Sequence, residues 1–417
     1  MRRRNKKAGP AIERLSGLQS RADRQGVVEV FTRAFVNPSW MERHVHRALL
    51  QPPLFNPEHT RIAVADGRVV SAAVMGPRHV RFGPVKVPAM TVGPVGTHDG
   101  YRKRGFAAAA MNDASRYMKE NGVLVAYLQG IDDFYYRFGY YPYMAPSRIS
   151  FRRDDAKKEA RPGRLRAMTL RDLPAVRKLY DEVTAGRICA AARDETTWAW
   201  LMGPGRRTWL FRRPRLILDA RGRLCGYVTT NWKEDPTFAE VIVRPDEACL
   251  RAALGAFVRF ARGLERKELI LPVPWDDPLA TFLRQFVEAQ YRASSGPTGG
   301  ALLKIVDFPA LMQRLEPLLA QRWRAAHSAL PRTEFTLASE IGKVGLSVSK
   351  RAVRVGPPNA RALAFIPQRW LSGMLTGYYA LGEVAARQGT RIPAGLVPVM
   401  DTLFPAGWPF VYQGDNY

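Results

Sequence analysis

Three consecutive cations, Arg102-Lys103-Arg104, precede Gly105-Phe106-Ala107 and a run through Asn121 that carries Phe106, Ala110, Ala114, Tyr117 and Met118 at helical spacing. Gly122 follows as a C-terminal stop. A basic loop at a helix N-terminus suits a polyanion such as a pyrophosphate. The unpaired N–H groups and the positive end of the helix dipole face it, the cations add charge, and Gly105 lets the backbone come close. A solvated basic turn ahead of a surface helix is the alternative for these six residues alone. Further on, Asp132 and Asp133 precede an aromatic run, Phe134-Tyr135-Tyr136-Arg137-Phe138-Gly139-Tyr140, where they either hold a cationic group or are solvated loop acids. Cys189, Cys225 and Cys249 show no paired spacing, which supports neither a disulfide framework nor a zinc site and makes them buried small hydrophobes. His44 and His46 stand two apart, so a helix would point them to different faces and a metal pair there is disfavoured.

The elements that must position these groups are legible as patterns. Val27, Val28, Phe31 and Phe35 fall at spacings near 3.6 and predict an amphipathic helix. With Trp40, Phe31 and Phe35 are either core or walls of a substrate site. Residues 60–65 and 68–75, joined by Asp66-Gly67, read as an antiparallel hairpin. The strand 90–97 carries Gly93-Pro94 in its middle. Proline cannot donate to a ladder, so this pair marks an edge or bulge where free backbone groups are open to a ligand. The apolar strand 123–128 closes the series.

The chain of 417 residues, 46% hydrophobic, exceeds what one core usually organises and predicts two or three domains. Two stretches read as boundaries, the charged 152–163 and the turn-rich 294–300, and they divide the chain into three parts. The first two parts share an order of helix, strands, helix and strand that hints at a degenerate duplication. No apolar stretch approaches the roughly 20 residues of a membrane-spanning helix. The basic N-terminus 2–7 lacks the apolar segment of a secretory signal, so the expected location is the cytoplasm. The net charge of +27 draws anions, whether nucleotide cofactors, nucleic acid or membrane surfaces. Its runs at 2–7, 102–104, 206–215 and 351–354 belong to no recognisable nucleic-acid module.

Strand, basic loop, helix, strand and aromatic turn together resemble the GNAT acetyltransferase superfamily. Its cofactor signature, Gln/Arg-x-x-Gly-x-Gly/Ala, is matched by Arg102, Gly105 and Ala107. Residues 95–101 resemble its lead-in, and Phe134 to Tyr140 its aromatic segment. The resemblance implies acetyl-CoA as co-substrate, with Val95, Gly96 and Thr97 bonding the pantetheine arm and Lys103, Arg104, Gly105, Phe106, Ala107 and Ala108 cradling the pyrophosphate. The thioester would lie between the two strands. It further implies direct transfer to an amine with no acyl-enzyme, with which the absence of cysteine from residues 1–150 agrees; the Cys and His spacings lead us to expect no metal. Such transfer requires that the amine lose a proton and that the departing thiolate gain one.

Over nearly its full length the chain also resembles the three-domain enhanced intracellular survival family. That likeness implies an α/β (α+β) architecture. After a basic tail (1–10) come a catalytic domain (11–150), a linker (151–163), a second, degenerate acetyltransferase-like domain (164–293) and a sterol-carrier-protein-like domain (300–417). The second domain lacks the cofactor loop after its central strand 238–243 and so serves as scaffold. The likeness implies Tyr135 as general acid, with its neighbour Tyr136 open for that role. The carboxylate of the aromatic terminus, Tyr417, is implied as base, with Asp415 as the alternative. The acceptor is then an amine of a small molecule or a lysine, and a homo-oligomer is open. Lipid transport does not follow from the third domain's likeness, because fold does not fix function. Two rivals stand: an aminoacyl-tRNA-dependent transferase, which would suit the charge but predicts no intact pyrophosphate loop, and a non-catalytic nucleic-acid or lipid-binding protein on the same fold.

Overall fold

The computed structural model describes residues 11–45, 55–203, 211–230, 238–262, 267–296, 299–326, 332–350, 352–358 and 362–415, without the side chains of Trp40, Arg43 and His44. The basic tail 1–10, His46, residues 206–210 of the cationic run 206–215, Arg351 and the terminal Tyr417 lie outside the described residues. The chain forms two compact units, one of Met1–Pro77 with Met90–Val123 and one of Arg78–Ala89 with Leu124–Tyr417.

The first unit contains β1 (Arg14–Ser16), α1 (Arg21–Ala34), α2 (Pro38–His44), β2 (Thr60–Ala65), the first part of β3 (Arg68–Phe82), the last part of β4 (Val85–Thr97) and α3 (Phe106–Glu120). β1, β2 and β3 pair antiparallel in that order, and β4 lies beside β3. The expected hairpin is present. Asp66 and Gly67 both have positive φ, 51° and 68°, which is the conformation that favours an Asp-Gly pair in a two-residue turn. On α1, Val27, Val30 and Phe31 are buried against Ile62, Val64, Ala72 and Val74. Phe31 is therefore core, and its ring fixes Gly96: a Cβ there would stand 2.9 Å from Phe31 Cδ1 and 3.2 Å from Ala34 Cβ.

The second unit begins with the remaining halves of β3 and β4 and continues through β5 (Val125–Gly130), β6 (Tyr141–Pro142), β7 (Ser147–Arg152), β8 (Gly163–Ala167), α4 (Leu173–Thr184), β9 (Ile188–Ala191), α5 (Glu195–Met202), β10 (Arg215–Asp219), β11 (Leu224–Thr230), β12 (Phe238–Val243), α6 (Glu247–Ala261), β13 (Glu268–Leu271), α7 (Pro278–Phe286) and β14 (Ala289–Ala293). It ends with β15 (Gly300–Ile305), α8 (Phe308–Ala325), β16 (Thr333–Ser339), β17 (Gly342–Val348), β18 (Val353–Gly356), β19 (Leu363–Phe365), α9 (Gln368–Thr376), α10 (Leu381–Ala385) and α11 (Val397–Leu403).

Two strands sit far from their sequence neighbours. β15 runs antiparallel between β5 and β6, with Leu302 opposite Leu128, so residues just past the turn-rich 294–300 complete a sheet begun before residue 131. β7 runs antiparallel between β13 and β14. The charged stretch 152–163 is not an extended spacer, because Ala156 is fully buried in the core that α6 forms with β7, β12 and β13. A separate order β12-β11-β10-β8 lies under α6, and β18-β17-β16-β19 packs with α8, α9 and α11 around Trp323, Phe335, Leu371 and Met400.

Candidate functional site

α3 opens on Gly105, whose φ of +89° is costly for any residue with a Cβ, and no side chain caps the helix. The first N–H groups of α3, those of Phe106, Ala107 and Ala108, thus meet no capping side chain. Space around Gly105 is open: a Cβ there would meet nothing within 4 Å. Lys103 also has positive φ, 60°. Arg102, Lys103 and Arg104 are exposed and in no ion pair with a described residue. Arg104 lies 5.7 Å over the Tyr101 ring.

This loop is held from behind. The Tyr101 hydroxyl donates to Asp66 in the β2–β3 turn at 2.8 Å, a bond that raises the Tyr101 pKa. The Tyr101 ring meets the rings of His98 and Phe106 edge-on at 5.6 and 5.8 Å. His98 accepts the Gly100 N–H on Nδ1, and its backbone N–H donates to the Val70 carbonyl at 2.9 Å. The helix is pinned to β2 by a buried ion pair, Arg61 Nε to Asp113 at 2.6 Å, with Arg61 also reaching Glu58 at 2.6 Å. Sequence reasoning finds the loop, its glycine and the Asp66-Gly67 turn but misses the pairs Tyr101–Asp66 and Arg61–Asp113, whose members are distant in the chain.

Val95, Gly96 and Thr97 form the end of β4, past a cis Gly93–Pro94 bond. Gly96 is buried and its carbonyl accepts the Ser71 hydroxyl at 2.8 Å, while Val95 and Thr97 are half-buried. These three residues and the 102–108 loop lie in the first unit; Tyr135 and the C-terminal segment lie in the second.

In the second unit Tyr135 opens a short helical turn, Tyr135–Phe138, ended by Gly139 at φ +81°. The Tyr135 ring is buried edge-on to Phe134 and Tyr140, at 4.9 and 6.1 Å. Its neighbour Tyr136 stacks on Tyr141 at 5.4 Å and has a pKa raised by burial and then by Asp133. Asp132 and Asp133 are exposed on the preceding loop. The carbonyl end of the turn is held from β15, where Lys304 Nζ donates to Phe138 O at 2.8 Å; burial lowers the Lys304 pKa to about 8.

The C-terminal segment is anchored on the same unit. Phe410 N–H donates to Ile188 O at 3.0 Å, and Gly414 N–H to Glu240 at 3.0 Å. Arg193 bonds both carboxylate oxygens of Asp415, and the Tyr127 hydroxyl on β5 reaches the Asp415 carbonyl at 3.5 Å. Asp415 is fully buried in this network, so its carboxylate is a structural anchor rather than an open group. β5 thus touches the C-terminal segment at Tyr127 and, three positions on, the Tyr135 ring, 2.8 Å from where a Cβ of Gly130 would stand. That interval is roughly 10 Å along a strand.

The cysteines are free and buried, as expected, though Cys225 on β11 and Cys249 on α6 come within hydrogen-bonding reach of each other. Among the described residues no group of three or more His, Cys, Asp or Glu side chains could hold a metal ion, and no helix is long and apolar enough to cross a membrane.

Residues 18–143 match the family model described as Acetyltransferase (GNAT) domain. No curated protein matches the chain. Solved structures do, across their whole lengths. A GCN5-related N-acetyltransferase from Kribbella flavida is 17% identical, with 96% of this chain and 97% of that one covered and a TM-score of 0.71. One from Anabaena variabilis is 14% identical, with 96% and 99% covered and a TM-score of 0.75. Eis1 from Mycobacterium abscessus is 20% identical, with 97% and 100% covered and a TM-score of 0.64. Residues 18–143 thus carry the GNAT fold, within a mixed α/β architecture that these solved structures share over nearly the whole chain.

Proposed function

We propose that this protein transfers an acetyl group from acetyl-CoA directly to an amine, of a small molecule or a lysine, as an acyl-CoA-dependent N-acetyltransferase of the enhanced intracellular survival type. The observation that carries this is the uncapped N-terminus of α3, with Gly105 left-handed and three exposed cations before it, inside the segment that matches the acetyltransferase model. Phe106, Ala107 and Ala108 would offer backbone N–H groups to the pyrophosphate, and Arg102, Lys103 and Arg104 would add charge. Val95, Gly96 and Thr97 would bond the pantetheine arm. Acetyl-CoA would supply the activated acetyl thioester.

The remaining steps fall to groups of the chain itself. Tyr135 gives a proton to the departing thiolate sulfur, from a buried turn that Lys304 holds at its carbonyl end. The carboxylate of Tyr417 takes the proton from the amine; its delivery is supported by Asp415, two residues earlier, which is fixed on Arg193 and reaches the Tyr127 hydroxyl. The second GNAT-like part, 164–293, and the sterol-carrier-protein-like part, 300–417, would serve as scaffold for that segment.

The experiment is release of free CoA thiol and formation of N-acetyl product, followed by mass spectrometry, from acetyl-CoA and a panel of amines. Product with the wild type and loss of turnover on deleting Tyr417 alone, with acetyl-CoA still bound, are the expected results. No product from any amine despite bound acetyl-CoA would count against transfer and in favour of a binding protein.

A further inference from the structure

A cleft of about 590 Å³, within the size range of small-molecule sites, opens on the second unit where β6, the β16–β17 turn and the residues around β19 meet. Its walls are set by contacts within that unit. The Tyr141 ring lies on Tyr136 at 5.4 Å, and its backbone pairs with Leu303 on β15. Phe365 exchanges two backbone hydrogen bonds with Arg391, at 2.8 and 2.9 Å. Both lining rings, Tyr141 and Phe365, are half-buried.

Among the described lining residues Glu340 and Arg369 carry charge, one of each sign. A Glu340 carboxylate oxygen accepts the Gln368 N–H at 2.7 Å and the Ser339 hydroxyl at 3.0 Å. Burial pushes the Glu340 pKa up, but these bonds and Arg369 outweigh it, so the group is an anion at neutral pH. Arg369 donates to the Gln388 carbonyl at 3.1 Å. The two charges form no ion pair with each other or with another described residue. Both nevertheless bear on the Tyr141 hydroxyl, whose pKa is raised by burial and then by Glu340, against the pull of Arg369. Phenol, carboxylate and guanidinium therefore converge on one cleft.

We propose that this cleft binds a zwitterionic α-amino acid with an apolar side chain, its ammonium on Glu340, its carboxylate on Arg369 and its side chain against Tyr141 and Phe365. A simple anion would meet Glu340 as well as Arg369, and a simple cation would meet Arg369 as well as Glu340, so each would leave one charge facing its like. A zwitterion answers both fixed charges, which are close but not joined. The half-buried rings offer apolar surface to the side chain. This amine is not an acetyl acceptor. Held as an ammonium on a carboxylate, its nitrogen has no lone pair to attack a thioester. The assignment does not rest on acetyl transfer.

The full chain is titrated with L-phenylalanine, with hydrocinnamate, which lacks the ammonium, and with phenethylamine, which lacks the carboxylate. Binding is read by saturation-transfer NMR. A partly exposed ion pair is worth up to about five-fold in affinity, so L-phenylalanine should bind about five-fold or more tightly than either analogue. Glu340→Gln, which keeps an acceptor for the Gln368 N–H, and Arg369→Gln should each weaken L-phenylalanine binding by a similar factor. Glu340→Gln should also remove its advantage over hydrocinnamate. Circular dichroism checks that both variants are folded. No saturable binding of L-phenylalanine, binding of either analogue as tight as L-phenylalanine, or unchanged binding in either folded variant would overturn the assignment.

Discussion

Arg193 and Asp415, 222 positions apart, form a bidentate ion pair, with Nε donating at 2.8 Å and a terminal nitrogen at 3.0 Å to the two carboxylate oxygens. The same guanidinium donates to both oxygens of Glu240, at 2.8 and 2.7 Å, and all three side chains are 0% exposed. Two carboxylates around one guanidinium leave a surplus of negative charge away from water. Burial therefore raises the Asp415 pKa against the pull of Arg193. Tyr227 donates to Glu240 at 2.5 Å and Tyr180 to Asp415 at 3.3 Å, which spreads the surplus.

Replacing Arg193 by Met strands two buried carboxylates. Removing one partner of a buried pair costs about 3–5 kcal/mol. The urea midpoint should fall accordingly, and limited proteolysis should cut the C-terminal segment 408–415 first. An unchanged midpoint would mean that the network does not hold that segment.

Lys304 gives a prediction with a definite sign. Burial lowers its pKa from an ordinary 10.5 to about 8. Between those values the folded state binds fewer protons than the unfolded one, so this group makes stability rise with pH across that window. Relative to Lys304→Met, the wild type should gain on the order of 2 kcal/mol between pH 8 and 10.5, measured by urea unfolding. A stability difference that is flat with pH would show that the lysine titrates as if in water.

Gly96 has a packing reason distinct from any ligand. A methyl group there would press on Phe31 Cδ1 at 2.9 Å and on Ala34 at 3.2 Å. Gly96→Ala should destabilise by about 1–3 kcal/mol, the usual range for overpacking. Partial relief by Phe31→Leu would identify the ring as the cause in thermal melts.

Local signals in the sequence carried far. The Asp66-Gly67 turn, the strand with Gly93-Pro94 and the helix from Phe106 to its Gly122 stop all stand where their patterns place them. Pairings set by tertiary contact could not be read in this way. β15 joins β5 and β6 although nearly 170 residues separate it from β5, and no local pattern names a strand's neighbour. The same holds for the buried pairs Arg61–Asp113 and Arg193–Asp415, since each residue alone looks like an ordinary surface charge in sequence. On α3 the apolar stripe omits Asp113, which is buried because Arg61 meets it. Tyr417, by contrast, lies outside the described residues, and the role proposed for it is argued from where Asp415 is held.

Tyr135 and Tyr136 are separable by substitution. Tyr135→Phe should lower kcat about a hundred-fold or more with little change in KM for acetyl-CoA, as loss of a general acid does. Tyr136→Phe should act near the wild-type rate, because its ring is committed to stacking on Tyr141. The reverse order would move the acid to Tyr136, whose raised pKa would keep it protonated.

The most direct measurement is calorimetric titration of acetyl-CoA into the wild type and into an Arg104→Glu, Gly105→Asp double variant. The substitutions place negative charge at the uncapped start of α3 and a side chain at a φ of +89°. Micromolar binding by the wild type and its loss in the folded variant are predicted; equal binding by both, or binding by neither, would contradict the assignment of this loop as the pyrophosphate site.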